Sequence, residues 1–455
     1  MRLKILAFLF CLLSQTAHSQ PPDTVSQIDK LLSSWNNSTP GGSVLVARGE
    51  KILYHRAFGL ADLEHNVPNT TATVFEAGSV SKQFTAYSIL LLQAEGKLKT
   101  TDDVRTYIPE LPVYEAPITI QMLLNHTSGL KDWGSVGSLT GWPRGTRDYT
   151  LTLGLHIIFK QKSTNFKPGN EYSYSNSNYT LLTEIVQRVS KQSLEDFTRD
   201  RLFKPLGMTS TRWRSNFRDI VPNRSIAYSK KDDGYALEMP FEHIYGHGGL
   251  LTTTEDLLKW NQLLEKHDAV YNVRVQRGEL NDGKEISYAA GIQHGEVNGV
   301  AEIGHSGATA GYRAWLAYYP SKKLSVILLS NEANFAPVEV GHEIAHLFLG
   351  EPKRMAITET VTHSDDGVIP PKNLNIFVGE YYSDEAECTL KIVEKDKTLF
   401  FINDALEEVP LEPKSLNVFS PGGSATIEFK LTKNKATGLN FTIQRANNIP
   451  FKKIK

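Results

Sequence analysis

The chain has 455 residues, 40% hydrophobic and 22% charged, a globular composition too long for one ordinary domain, so one large domain and a smaller one are expected. Lys and Arg total 49 against 50 Asp and Glu, a net charge of -1 with no basic run. That balance argues against nucleic acid or an anionic membrane surface as the main partner.

The N-terminus reads "MRLKILAFLFCLLSQTAHSQPP". Arg2 and Lys4 precede an apolar run from Ile5 to Leu13, and the small Ala17 and Ser19 follow in an A-x-A-like arrangement. Residues 1–19 are therefore expected to be a cleaved secretory signal, and the mature protein to be exported, periplasmic or secreted. The apolar run is too short for a stable membrane span. Bulky Phe10 before Cys11 argues against a lipoprotein cut there. With Cys11 gone, Cys388 is the one thiol left, so no intrachain disulfide is expected and a packed core must supply the stability.

After a short amphipathic segment (Val25 to Trp35), two alternating apolar runs around Gly49-Glu50 predict a hairpin. A helix is predicted from Ser79 to near Gly96, and mainly helical segments from Leu98 to Gln276. Among these, "LEDFTRDRLFKPLGM" reads as one helix stopped by Pro205 and Gly207, and "TTTEDLLKWNQLLEKH" as another with Thr caps. Two late strands, "GYRAWLAYYP" and "KLSVILLSN", form a second hairpin, and a helix from Val338 to Leu349 closes the region. Strands at both ends and helices between them imply an antiparallel sheet flanked by helices, with a helical subdomain, a mixed α/β chain of the α+β kind. The main domain is expected over 20–361 and a linker over 362–374. The alternating 375–455 region is expected to be a small antiparallel β-barrel.

Three stretches carry candidate chemistry. In "GSVSK", Ser79 and Lys82 are three apart, so a helix places both on one face, where a neutral amine could take the serine proton. A helix N-terminus favours the neutral amine. Ser128-Gly-Leu-Lys131 repeats the spacing, and on the spacing alone an ordinary helix cap is the favoured reading of either serine. In "EYSYSNSNY", Tyr174 could act as a phenolate base or proton shuttle, and Asn176 offers an amide to orient Lys82 and a substrate. In "EIGHSGATAGYRAW", His305-Ser306-Gly307 leads into a strand, and the Ala308 N–H could join that of Ser79 as an oxyanion hole. His247-Gly248-Gly249 matches that tripeptide too.

Ser-x-x-Lys, Tyr-x-Asn and Lys/His-x-Gly in this order resemble the serine β-lactamase and penicillin-binding superfamily. "ITIQMLLNHTSGL", "FKPGNEYSYSNSNY", "FKPLGM" and "GHGGLLTTTEDLLKW" are similar to its class C β-lactamase-related branch, which includes D-stereospecific peptidases and esterases. The resemblance covers Gly41 to Gly350 and implies Ser79 as acylated nucleophile and Lys82 with Tyr174 as the proton-transfer pair. It implies substrate-binding roles for Asn176, His305, Gly307 and Ala308, and no cofactor. It also marks Ser128 and His126 as scaffold residues and His247-Gly249 as a turn. The C-terminal region looks like the lipocalin-like barrel appended to some members.

His305 stands where β-lactamases usually carry Lys, which favours peptidase or esterase relatives. The expected activity is cleavage of amide bonds in small or D-residue-containing peptides. Alternatives are a carboxylesterase, a class C-type β-lactamase, and a non-catalytic penicillin-binding sensor. A zinc peptidase is a further alternative, through His342-Glu343-Ile344-Ala345-His346, but no H-x-x-G-x-x-H extension follows and no metal is expected. The implied partner is a small-molecule or short-peptide acyl substrate. The sequence carries no signal for an oligomeric state.

Overall fold

A computed structural model describes residues 22–350, 371 and 373–455. The expected signal at 1–19 and most of the expected linker lie outside the described residues.

The body is built on six antiparallel strands: β1 (Gly42–Arg48), β2 (Lys51–Phe58), β3 (Gln293–Val297), β4 (Val300–Thr309), β5 (Tyr312–Tyr319) and β6 (Leu324–Ser330). Their order is β3-β4-β5-β6-β1-β2, so the two ends of the body meet where β1 pairs β6, with Leu45 opposite Ile327. Alternation along β1 serves two cores. Leu45 and Ala47 enter the cluster shared with the helical subdomain, while Val44 and Val46 enter the cluster on the other face. Buried on both faces, β1 and β6 are nearly continuous apolar runs.

Helices α1 (Pro22–Leu31) and α5 (Pro337–Leu349) cover one face. The other carries α4 (Thr254–Glu265) and the subdomain of α2 (Lys82–Ala94) packed on α3 (Asn176–Ser190). Thr253 caps α4 by accepting the Asp256 N–H at 3.2 Å, as the Thr run predicts.

The C-terminal region is a closed eight-stranded antiparallel barrel, from Gly379–Ser383 to Ala446–Lys453. Its apolar core includes Val136 and Leu139 from the body, so barrel and body share one buried cluster. Buried Lys131 reaches Glu385 of the barrel at 3.1 Å across the same junction.

The structure departs from the sequence reading in three places. His305-Ser306-Gly307 lies inside β4 rather than ahead of a strand. The helix at 194–206 is three pieces, with a π-helical turn at Arg199–Phe203 between α-helical Leu194–Thr198 and Lys204–Leu206. Two-residue strands, which have no period to read, pair Phe75–Glu76 and Arg212–Trp213 with Leu250–Thr252.

Candidate active site

That small sheet delivers the chain to Ser79. Phe75 and Glu76 pair with Thr252 and Leu251, and the Ala77 N–H donates to the Leu250 carbonyl at 2.8 Å. Gly78 turns with φ +50°, and Ser79 sits in the 3-10 turn Gly78–Ser81 that leads into α2. Its hydroxyl caps neither helix. It lies instead between two other side chains, 3.1 Å from Lys82 Nζ and accepting the Tyr174 hydroxyl at 2.8 Å.

Lys82 is fully buried, with Nζ also 3.0 Å from Asn176 Oδ1 and 2.6 Å from the His247 carbonyl. Burial lowers its pKa well below the usual lysine value, helped by the charges of Arg144 and Arg445. A neutral amine has two N–H bonds. Asn176 Oδ1 and the His247 carbonyl can only accept, so they take both, and the lone pair is left facing the Ser79 hydroxyl. Tyr174 is pushed the other way, its pKa raised by burial, so it is a phenol that donates rather than a phenolate. Ser79 Oγ thus has an acceptor on one side and a donor on the other.

Positions are held by the surrounding scaffold. The Asp132 carboxylate accepts the Asn176 N–H at 2.7 Å at the start of α3, where Ser175 makes no side-chain cap. His126 packs 4.3 Å from the Tyr174 ring and its Nδ1 takes the Ser175 N–H at 3.2 Å.

Opposite Ser79 runs β4. A Cβ on Gly78 would lie 2.5 Å from the Ala308 nitrogen, and one on Gly307 would collide with the Ala77 carbonyl. Both glycines are therefore required for the Ala308 backbone to lie against the Ser79 turn. Ser79, Tyr174, Asn176, His305, Gly307 and Ala308 line one cleft of about 570 Å³, with Lys82 bonded to Ser79 beneath it.

His305 is buried, and burial lowers its pKa to about 3. Nδ1 lies 2.6 Å from the Ser306 carbonyl, which can only accept, so Nδ1 carries the proton and Nε2 takes the Tyr288 hydroxyl at 2.9 Å. The ring lines the cleft but presents no cation to it.

A Beta-lactamase family profile matches residues 23–350. The chain belongs to the Beta-lactamase family. Membership makes it a serine hydrolase of the β-lactamase and penicillin-binding superfamily. It is 28% identical over 422 residues to a penicillin-binding protein of Bacillus subtilis (strain 168), across 87% of this chain and 91% of that one. The octameric penicillin-binding protein homologue of Pyrococcus abyssi shares the fold with TM-score 0.62 and 22% identity, covering 94% of this chain and 99% of that one. A D-stereospecific amidohydrolase from Streptomyces sp. matches with TM-score 0.60 and 20% identity, over 71% of this chain and 98% of that one.

In this Beta-lactamase family member the repeated motifs have other tasks. Ser128 donates to Asn178 Oδ1 at 2.6 Å, and Lys131 is spent on Ser163 and Glu385. His247 contributes its carbonyl to Lys82. In α5, His342 Nε2 is held by Glu302 of β4 at 3.2 Å and Glu343 faces solvent. Among the described residues neither His342 nor His346 belongs to a group of three ligand-type side chains close enough to hold a metal.

Sequence reasoning missed three residues of the cleft's surroundings. Tyr288 partners His305, Asp132 takes the Asn176 N–H, and Arg445 of the barrel lines the cleft. Each depends on a long-range contact that no local pattern encodes.

Proposed function

We propose that the protein is an exported serine acyl hydrolase that works through a covalent acyl-enzyme on Ser79 and cleaves amide bonds of small or D-residue-containing peptides. The observation that carries this reading is Ser79 Oγ held between Lys82 Nζ at 3.1 Å and the Tyr174 hydroxyl at 2.8 Å. Ser79 Oγ attacks the acyl carbon as its proton passes to the neutral Lys82 amine. The oxyanion is received by the Ser79 and Ala308 N–H groups. On collapse the C–N bond breaks and the leaving nitrogen takes a proton from the Tyr174 hydroxyl, which Lys82 restores. Water then attacks the ester carbon, giving a proton to the same pair, and Ser79 leaves with its proton returned.

An ester substrate presents the same acyl carbon to this machinery. The neutral His305, where β-lactamases usually carry a fixed cation, supports a peptide or ester substrate over a β-lactam, and a fold neighbour described as a D-stereospecific amidohydrolase supports the amide. Support for export is the arrangement of residues 1–19. A parallel rate panel tests the reading: a chromogenic cephalosporin, a short p-nitrophenyl ester and a D-alanyl anilide, wild type against Ser79→Ala. The anilide is expected to turn over fastest relative to its uncatalysed rate, with a loss of about 10⁴-fold or more in the variant. Full activity of Ser79→Ala on the preferred substrate contradicts it.

A further inference from the structure

The barrel reaches the catalytic cleft through one turn. Arg445 lies between the last two strands, Lys435–Ile443 and Ala446–Lys453, and lines the cleft with Ser79 and Tyr174. Its backbone is pinned to the body: the carbonyl accepts the Asp132 N–H at 3.1 Å and Asn165 Nδ2 at 3.0 Å, and the Asn447 N–H donates to Asn165 Oδ1 at 2.8 Å. Its guanidinium sits 4.7 Å over the ring of Tyr174, the residue whose hydroxyl bonds Ser79.

Of the cleft's other two arginines, one has a carboxylate partner and the other donates to backbone carbonyls. Arg144 pairs with buried Glu242, and Arg313 Nη1 donates to the carbonyls of Ala310 and Tyr312, both at 2.7 Å. Among the described residues Arg445 is hydrogen-bonded through its backbone carbonyl, and its guanidinium has the Tyr174 ring but no carboxylate as a partner. Arg445 is exposed at the edge of the cleft, and a planar, always-charged fork placed there without a protein partner suits a carboxylate bidentately. The His305 imidazole, spent on Tyr288 and Ser306, offers no competing cation.

We infer that Arg445, supplied by the barrel, binds a substrate carboxylate on the Tyr174 side of the cleft, so that the barrel completes the substrate site of the body. In the mechanism above Tyr174 faces the leaving group, which places that carboxylate on the departing residue. The inference rests on the acyl-hydrolase reading for this orientation, but binding tests it without turnover. Calorimetry with full-length Ser79→Ala compares N-acetyl-D-alanyl-D-alanine with the same dipeptide capped as a C-terminal amide. The acid is expected to bind more tightly, by about 10- to 100-fold, as for a hydrogen bond to a charged group. Adding Arg445→Gln should remove the preference, and Arg445→Lys, which keeps the charge without the fork, should retain part of it. Circular dichroism reports whether each variant folds; the turn is anchored through the Arg445 carbonyl, which the substitutions leave in place. Equal binding of acid and amide, no binding of either, or a preference that survives Arg445→Gln in folded protein overturns the inference. Fluorophosphonate labelling of the wild type separately judges the acyl-enzyme reading, so the two can fail independently.

Discussion

At the scale of single residues, burial sets the protonation states that the proposed mechanism uses. Burial pushes Lys82 toward a free amine and Tyr174 toward a phenol, and two bare acceptors orient the amine. The same burial has a stability consequence at His305, whose pKa falls from 6.5 to about 3. Between those values the unfolded chain binds a proton that the folded chain refuses, so stability falls as pH falls through that window. His126 and His247, also buried and lowered well below the usual value, act in the same direction. Each such group costs up to about 1.4 kcal/mol per pH unit below its unfolded value. The urea midpoint is expected to drop from pH 7 to pH 5, and His305→Gln to flatten that drop. A midpoint that stays level over this range would contradict the account. The residues that gather at the candidate site were legible in the sequence, because Ser-x-x-Lys, Tyr-x-Asn and His-x-Gly are local patterns. Their protonation states were not, since burial is set by the whole fold.

At the scale of elements, the site depends on the 3-10 turn of Ser79 lying against β4. Gly78 holds φ +50°, and its missing Cβ is what admits the Ala308 nitrogen. Gly78→Ala combines left-handed strain of about 1–3 kcal/mol with a clash against backbone that cannot yield easily. It is expected to separate the Ser79 and Ala308 amides and, on the proposed mechanism, to lower kcat by about 10²- to 10³-fold, the loss of one oxyanion donor. Steady-state kinetics with a thermal melt check this; a variant with wild-type kcat would remove the role given to the Ala308 amide. Long elements such as β1, β6 and α4 were readable, the strands as apolar runs bounded by turn residues and the helix by its period behind a Thr cap. The two-residue strands beside Ser79 and the π-helical turn at Arg199–Phe203 were not, since pairing partners far along the chain create them.

At the scale of the molecule, the barrel is a structural partner of the body as well as a neighbour. Val136 and Leu139 enter its core, and Lys131 is neutralised across the junction by Glu385, a buried pair whose separation would strand a charge. The barrel's alternating strands were legible, but its placement over the cleft, and so Arg445, followed only from the assembled fold. The central claim, that Ser79 is the acylated nucleophile, is tested most directly by mass spectrometry of the full chain after treatment with a fluorophosphonate. The account predicts one adduct, on the peptide containing Ser79 and absent from Ser79→Ala. Folded protein that carries no adduct on Ser79, together with a Ser79→Ala variant that keeps full activity, would contradict it.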